Sequence, residues 1–173
     1  MAYLQELRAL HKAREYAELL EFCKGKLQFS PEDTDLLFHM ALALEGLGRH
    51  DAARNAFEKL FRITHDELFR ICEAVPQFSK GERKSAISIL KYETRKTEDA
   101  PRLFFAFRLA SEQGEANVAA DALRKAFAVD HKKTLSLLQG YFEGLHEKRA
   151  QRALLFVTLL GILRESGEKT SAR

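Results

Sequence analysis

The chain has 173 residues, 46% of them apolar and 31% charged, which suits one soluble domain with a real core and excludes a disordered chain. The net charge of +3 is mild, and Lys and Arg are scattered among Asp and Glu, which argues against a one-sided nucleic-acid footprint. The opening "MAYLQELRALHKAREY" is charged throughout without an apolar signal core. The longest apolar run, "ALLFVTLLGIL" from Ala153 to Leu163, is too short to span a bilayer. The expectation is a cytoplasmic protein without membrane insertion.

In chain order, apolar residues recur at helical spacing from the start. Tyr3, Leu4, Leu7 and Leu10 form the first such stripe, and Leu37, Met40, Ala41 and Leu44 form the stripe of the third segment. Breaks are predicted near residues 12–15, 30–33, 46–50, 64–66, 76–82, 97–101, 113–116, 131–133 and 145–148, giving about ten helices joined by short loops. Ser30-Pro31 stops one helix, because the residue before proline is pushed out of the α region. Pro31-Glu32-Asp33 then favours the start of the next. Gly48, Gly81 and Gly114 stand where a helix must end and reverse, and Pro76 is expected to shorten or kink the helix it enters. No block of alternating β-branched residues reads as strand.

The three glycines are also a count. "GRHDAARNAF" begins at Gly48, "GERKSAISIL" at Gly81 and "GEANVAADAL" at Gly114, each 33 residues after the last. Each has alanine at the sixth place (Ala53, Ala86, Ala119) and a bulky apolar residue at the tenth (Phe57, Leu90, Leu123). Two helices joined by a tight turn approach closely near that turn, so a small residue is needed there and a large one where they diverge. A hairpin of this size cannot bury its stripe alone and stacks on copies of itself.

This pattern resembles the tetratricopeptide repeat (TPR) family. In Thr34–Asp66, Leu37, Met40, Ala41, Leu44, Gly48, Ala53, Phe57 and Leu60 fall on the family's structural positions. Tyr16, Leu19, Cys23, Leu27 and Pro31 fit a degenerate first unit. Arg70, Glu73 and Gln77 replace expected apolar residues in the next first helix, and Phe107 replaces a small one. The resemblance implies an all-α fold, a right-handed α-solenoid of stacked antiparallel helix pairs. A single repeat domain is expected over residues 1–166, with units near 1–33, 34–66, 67–99 and 100–132, a degenerate or capping pair at 133–166, and a tail at 167–173.

Catalysis needs a convergent set of groups, and no such set is legible. The six histidines (His11, His39, His50, His65, His131, His146) show no metal-ligand spacing, and most fall near expected helix ends. Cys23 and Cys72 are far apart, without a CxxC, and read as buried free thiols. The expectation is no enzyme, no metal and no cofactor.

The family resemblance further implies that the fifth and ninth positions of each first helix line a concave groove. Here those are Phe38 and Leu42, Ile71 and Val75, Phe104 and Arg108, then Leu137 and Tyr141. This set is mainly apolar and aromatic, which suits an amphipathic or apolar peptide segment better than an acidic tail. The leading expectation is an adaptor or scaffold that binds another protein or peptide, and not nucleic acid. Two alternatives stay open. One is a self-assembling structural protein, most simply a homodimer, whose C-terminal helix places Leu154, Leu155 and Ile162 off its inward stripe of Ala153, Phe156, Leu160 and Leu163. The other is a small TPR chaperone of a bacterial secretion system, against which the basic balance (pI ≈ 8.9) speaks.

Overall fold

The computed structural model describes residues 3–144, and among these it is helical throughout, with no strand. Ten helices run in order: α1 Tyr3–Ala13, α2 Tyr16–Leu27, α3 Thr34–Gly46, α4 His50–Thr64, α5 Glu67–Cys72, α6 Ala74–Ser79, α7 Arg83–Lys96, α8 Ala100–Glu112, α9 Ala116–Val129 and α10 His131–Gly144. Each expected break that falls among these residues has a counterpart, and one further break, at Glu73 between α5 and α6, was not in the expected series. The C-terminal segment carrying Leu154, Leu155 and Ile162 lies outside the described residues.

The reversals repeat one backbone device. After α3, Gly48 takes φ +72; its N–H donates to the Glu45 carbonyl at 2.9 Å, and the next N–H, of Arg49, donates to that of Leu44 at 2.8 Å. This is a Schellman cap, which satisfies helix-end carbonyls through one left-handed residue. Gly81 and Gly114 repeat it, with Glu82 bonded to Gln77 and Glu115 to Ala110, each at 2.8 Å. A fourth copy ends α1. There Arg14 carries φ 61, its N–H reaching the His11 carbonyl at 3.1 Å, while Glu15 reaches Leu10 at 3.0 Å. A side-chain-bearing residue thus does in the first hairpin what glycine does in the other three.

Starts are capped by carboxylates. Asp33 accepts from the Leu36 N–H at 3.1 Å, Asp66 from Leu68 at 2.8 Å and Asp99 from Arg102 at 2.8 Å. Pro31 itself stays in the loop, and α3 begins at Thr34 behind its Asp33 cap. Pro76 acts on the next first helix as expected. It cannot donate to the Cys72 carbonyl and its ring crowds that group, so α5 ends at Cys72 and α6 restarts two residues on, across Glu73.

The described chain divides into two compact units, with the boundary between Ile89 and Leu90, inside α7. In the first unit each helix packs on its sequence neighbour: α1 on α2, α2 on α3, α3 on α4, and α4 on both α5 and α6. In the second, α8 packs on α9, and α10 on both. The core repeats in register. Leu19, Ala53, Ala86 and Ala119 are all fully buried four residues after the reversal, followed by the buried Cys23, Phe57, Leu90 and Leu123. On the first helices, Leu7, Ala41, Ala74 and Phe107 hold equivalent, fully buried places. Glu93 is buried where α4 has Leu60 and α9 has Ala126.

The α2–α3 contact depends on a missing side chain. A Cβ on Gly46 would lie 2.4–2.6 Å from three atoms of the Tyr16 ring, its root atom Cγ included. Ordinarily Gly→Ala within a helix gains about 1 kcal/mol. Here the overlap costs about 1–3 kcal/mol, so Gly46→Ala is expected to lower stability by about 1 kcal/mol net in urea unfolding. In a Tyr16→Ala background, Gly46→Ala should cost nothing relative to Tyr16→Ala alone. A stabilised Gly46→Ala single variant would refute the contact.

Candidate functional site

The residues expected to line the groove occupy different environments. In the first unit, Phe38 and Leu42 on α3 and Val75 on α6 are half-buried, whereas Ile71 on α5 is fully buried. Phe38 is held by rings on three sides: Phe57 of α4 at 6.3 Å, Phe69 of α5 at 6.0 Å and His39 at 5.9 Å, between centroids. Edge and tilted arrangements at these distances are the favoured ones for aromatic pairs. Half-buried Phe69 therefore belongs to the same aromatic face. It sits two residues before Ile71, so counting in steps of 33 passes over it.

Beside this face the charged substitutions in α5 and α6 are accommodated by pairing. Arg70 donates to the buried Glu73 carboxylate at 2.9 Å, and its guanidinium lies over the Phe61 ring at 5.0 Å. Burial pushes the Glu73 carboxyl above its ordinary value, while Arg70 pulls it down. Gln77 is buried as well.

In the second unit, Phe104 is 5% exposed. It packs on Phe107 at 5.3 Å and against the edge of Tyr141 at 6.0 Å. Arg108 is exposed, with its guanidinium stacked over the half-buried Tyr141 ring at 5.1 Å and 3.8 Å from Glu112. Burial raises the Tyr141 phenol above its ordinary value, with the charge of Glu112 adding to the effect. Arg108 is thus a cation held in place by a ring rather than a freely swinging side chain.

The helix α10 breaks the count. A 33-residue step from the buried Leu103 and Phe107 lands on Ser136 and Gly140, both exposed. Thr134 and Leu138 are buried in α10 instead, a step of 31. The cause is the connector: between α9 and α10 only Asp130 intervenes, against Thr97, Glu98 and Asp99 between α7 and α8. The α10 counterparts of Phe104 and Arg108 are therefore Leu135, 53% exposed, and the exposed Gln139. Leu137 and Tyr141 are half-buried beside the helix's inner face. A short connector between two helical patterns was the available signal.

Among the described residues, no group of three or more His, Cys, Asp or Glu could hold a metal ion. Cys23 and Cys72 are buried free thiols, and burial raises both to about 12, which makes them poor nucleophiles. His50 at the start of α4 contacts Glu45 at 2.9 Å, His65 ends α4 in a left-handed conformation, and His131 starts α10 beside the Phe127 ring. No described helix is long and apolar enough to cross a membrane.

No protein-family model matches the chain, and no curated protein matches it in sequence. In three dimensions it is similar to the solved "MamA RS-1 ArsTM double mutant", a TPR-containing protein, with a TM-score of 0.53 and 16% identity over 95% of this chain and 94% of that one. The chain has a TPR-like, all-α solenoid fold. At that identity the likeness speaks for the fold alone. The repeated caps and buried alanines described above are the local features that such a fold requires.

Proposed function

We propose that the chain is a non-enzymatic protein-interaction module that binds an apolar or amphipathic segment of another protein. The observation that carries this reading is the half-exposed apolar and aromatic surface on the first helices. In the first unit it comprises Phe38, Leu42, Phe69 and Val75. The second unit, taken by itself, has Arg108 over Tyr141 and the exposed Leu135 on its first helices. A helical scaffold that fixes such side chains before the partner arrives loses little conformational entropy on binding. An amphipathic helix supplies apolar anchors at i, i+3, i+4 and i+7, which suits an apolar strip of this kind. Ile71 of the first unit is fully buried and Phe104 of the second nearly so, so neither is offered to a partner.

Binding of partners captured from source lysate should fall about tenfold or more in Phe38→Ala and in Arg108→Ala, the size expected where each change removes about 1.4 kcal/mol or more. Phe29→Ala is the control, since Phe29 is 86% exposed in the loop after α2 and is not among the residues assigned to the surface. Circular dichroism should be unchanged in all three. Equal capture by the Phe38 and Arg108 variants and wild type would overturn the reading.

A further inference from the structure

The N-terminal helix is seated on α2 and α3 by few contacts of different kinds. The Tyr3 hydroxyl donates to the Asp33 carboxylate, Leu7 is fully buried, and the His11 ring meets the edge of His39 on α3 at 6.3 Å. His11 also lies 6.1 Å from the Tyr16 ring of α2. The inner nitrogen of His39, Nδ1, is buried and has no hydrogen-bond partner. That arrangement is tolerable for a neutral ring whose Nδ1 carries no proton. A proton there would create a buried charged donor with nothing to accept it.

The charged surroundings of His39 sharpen the point. From α1, both His11 and Arg8 oppose a charge on it, and from its own helix only Asp35 favours one, while burial opposes it most. Helix α2 contributes the Tyr16 ring beside His11, and α4 places Phe57 against the neighbouring Phe38. We propose that α1 is an acid-released cover on the α2–α3 hairpin: a proton taken up at His39, with His11 beside it, frees α1 from α3. The helix so uncovered is the one that carries Phe38 and Leu42, so release would alter the proposed binding surface from behind.

The direction in pH follows from which state takes the proton more readily. Burial, then His11, hold His39 below the ordinary histidine value of 6.5 in the docked state. The released state binds the proton more readily, so docking is at full strength above that value and weakens as pH falls through it. Hydrogen–deuterium exchange of the full chain at pH 7.5 and pH 5.5, corrected for the intrinsic pH dependence of exchange, tests this. Protection of residues 3–13 should fall severalfold on acidification, up to the roughly tenfold that one histidine of ordinary value 6.5 can supply over this interval, while that of α4 stays within about twofold. In His39→Phe, which keeps a ring but cannot take a proton, α1 should stay protected at both pH values, and His11→Gln should show a smaller acid loss than wild type. Unchanged α1 protection in wild type, parallel loss in α1 and α4, or a full acid loss retained in His39→Phe would each overturn the proposal.

Discussion

Phe107→Ala is expected to lower the unfolding free energy by about 3–5 kcal/mol, the range for deleting a fully buried phenylalanine. Phe107 has no exposed surface, and its ring meets Phe104 at 5.3 Å and Tyr141 at 6.0 Å. The equivalent places in the two preceding first helices, Ala41 and Ala74, are filled by methyl groups. Alanine is therefore compatible with the backbone, and the loss would come from the void left between α8 and α10. Phe107→Leu, which fills most of that space, should cost less than half as much. Urea unfolding of the three chains checks this, and a loss below about 1 kcal/mol for Phe107→Ala would mean that the site closes up around the smaller residue.

The second large effect runs the other way, from too much volume. Ala53 is fully buried on α4, four residues beyond the Gly48–Arg49 reversal, where α3 and α4 pack together. Ala53→Leu should destabilise by about 1–3 kcal/mol, because the added methylenes have no space to enter. Its neighbour Ala52 is exposed, and leucine there should change stability by no more than about 0.5 kcal/mol. Equal effects at the two positions would contradict the packing of this hairpin.

These two positions also mark what could be read before any coordinates. Ala53 was legible because its neighbourhood is local: a glycine, a fixed offset and a small residue suffice to place it. Three of the four reversals were legible for the same reason, and so was the break at Pro76. The fourth break, near residues 12–15, was legible too, but its left-handed residue was not, since Arg14 supplies by strain what glycine supplies freely. The groove positions of the first helices before α10 were what the family resemblance implied, but their exposure was not legible. Ile71 and Phe104 hold the same repeat position as Phe38, yet they are buried and Phe38 is only half-buried. Coverage depends on which neighbour leans over a residue, and that information lies in another helix. The two-residue shift of α10 was hidden for a related reason, because a fixed period assumes connectors of fixed length.

The helix reversals bear on how the chain reaches its fold. Each closes through a bond between residues five apart, as between Arg49 and Leu44 or Glu115 and Ala110. Loops that short cost little entropy to close, and topologies dominated by such contacts fold quickly. Hairpins α3–α4 and α8–α9 are both built this way, so neither must wait for the other to begin. In repeat architectures nucleation can start at more than one place and spread to neighbours. A substitution that cripples one hairpin leaves the other as a starting point. The speed of folding should therefore respond to mutation less than the stability of the finished molecule does.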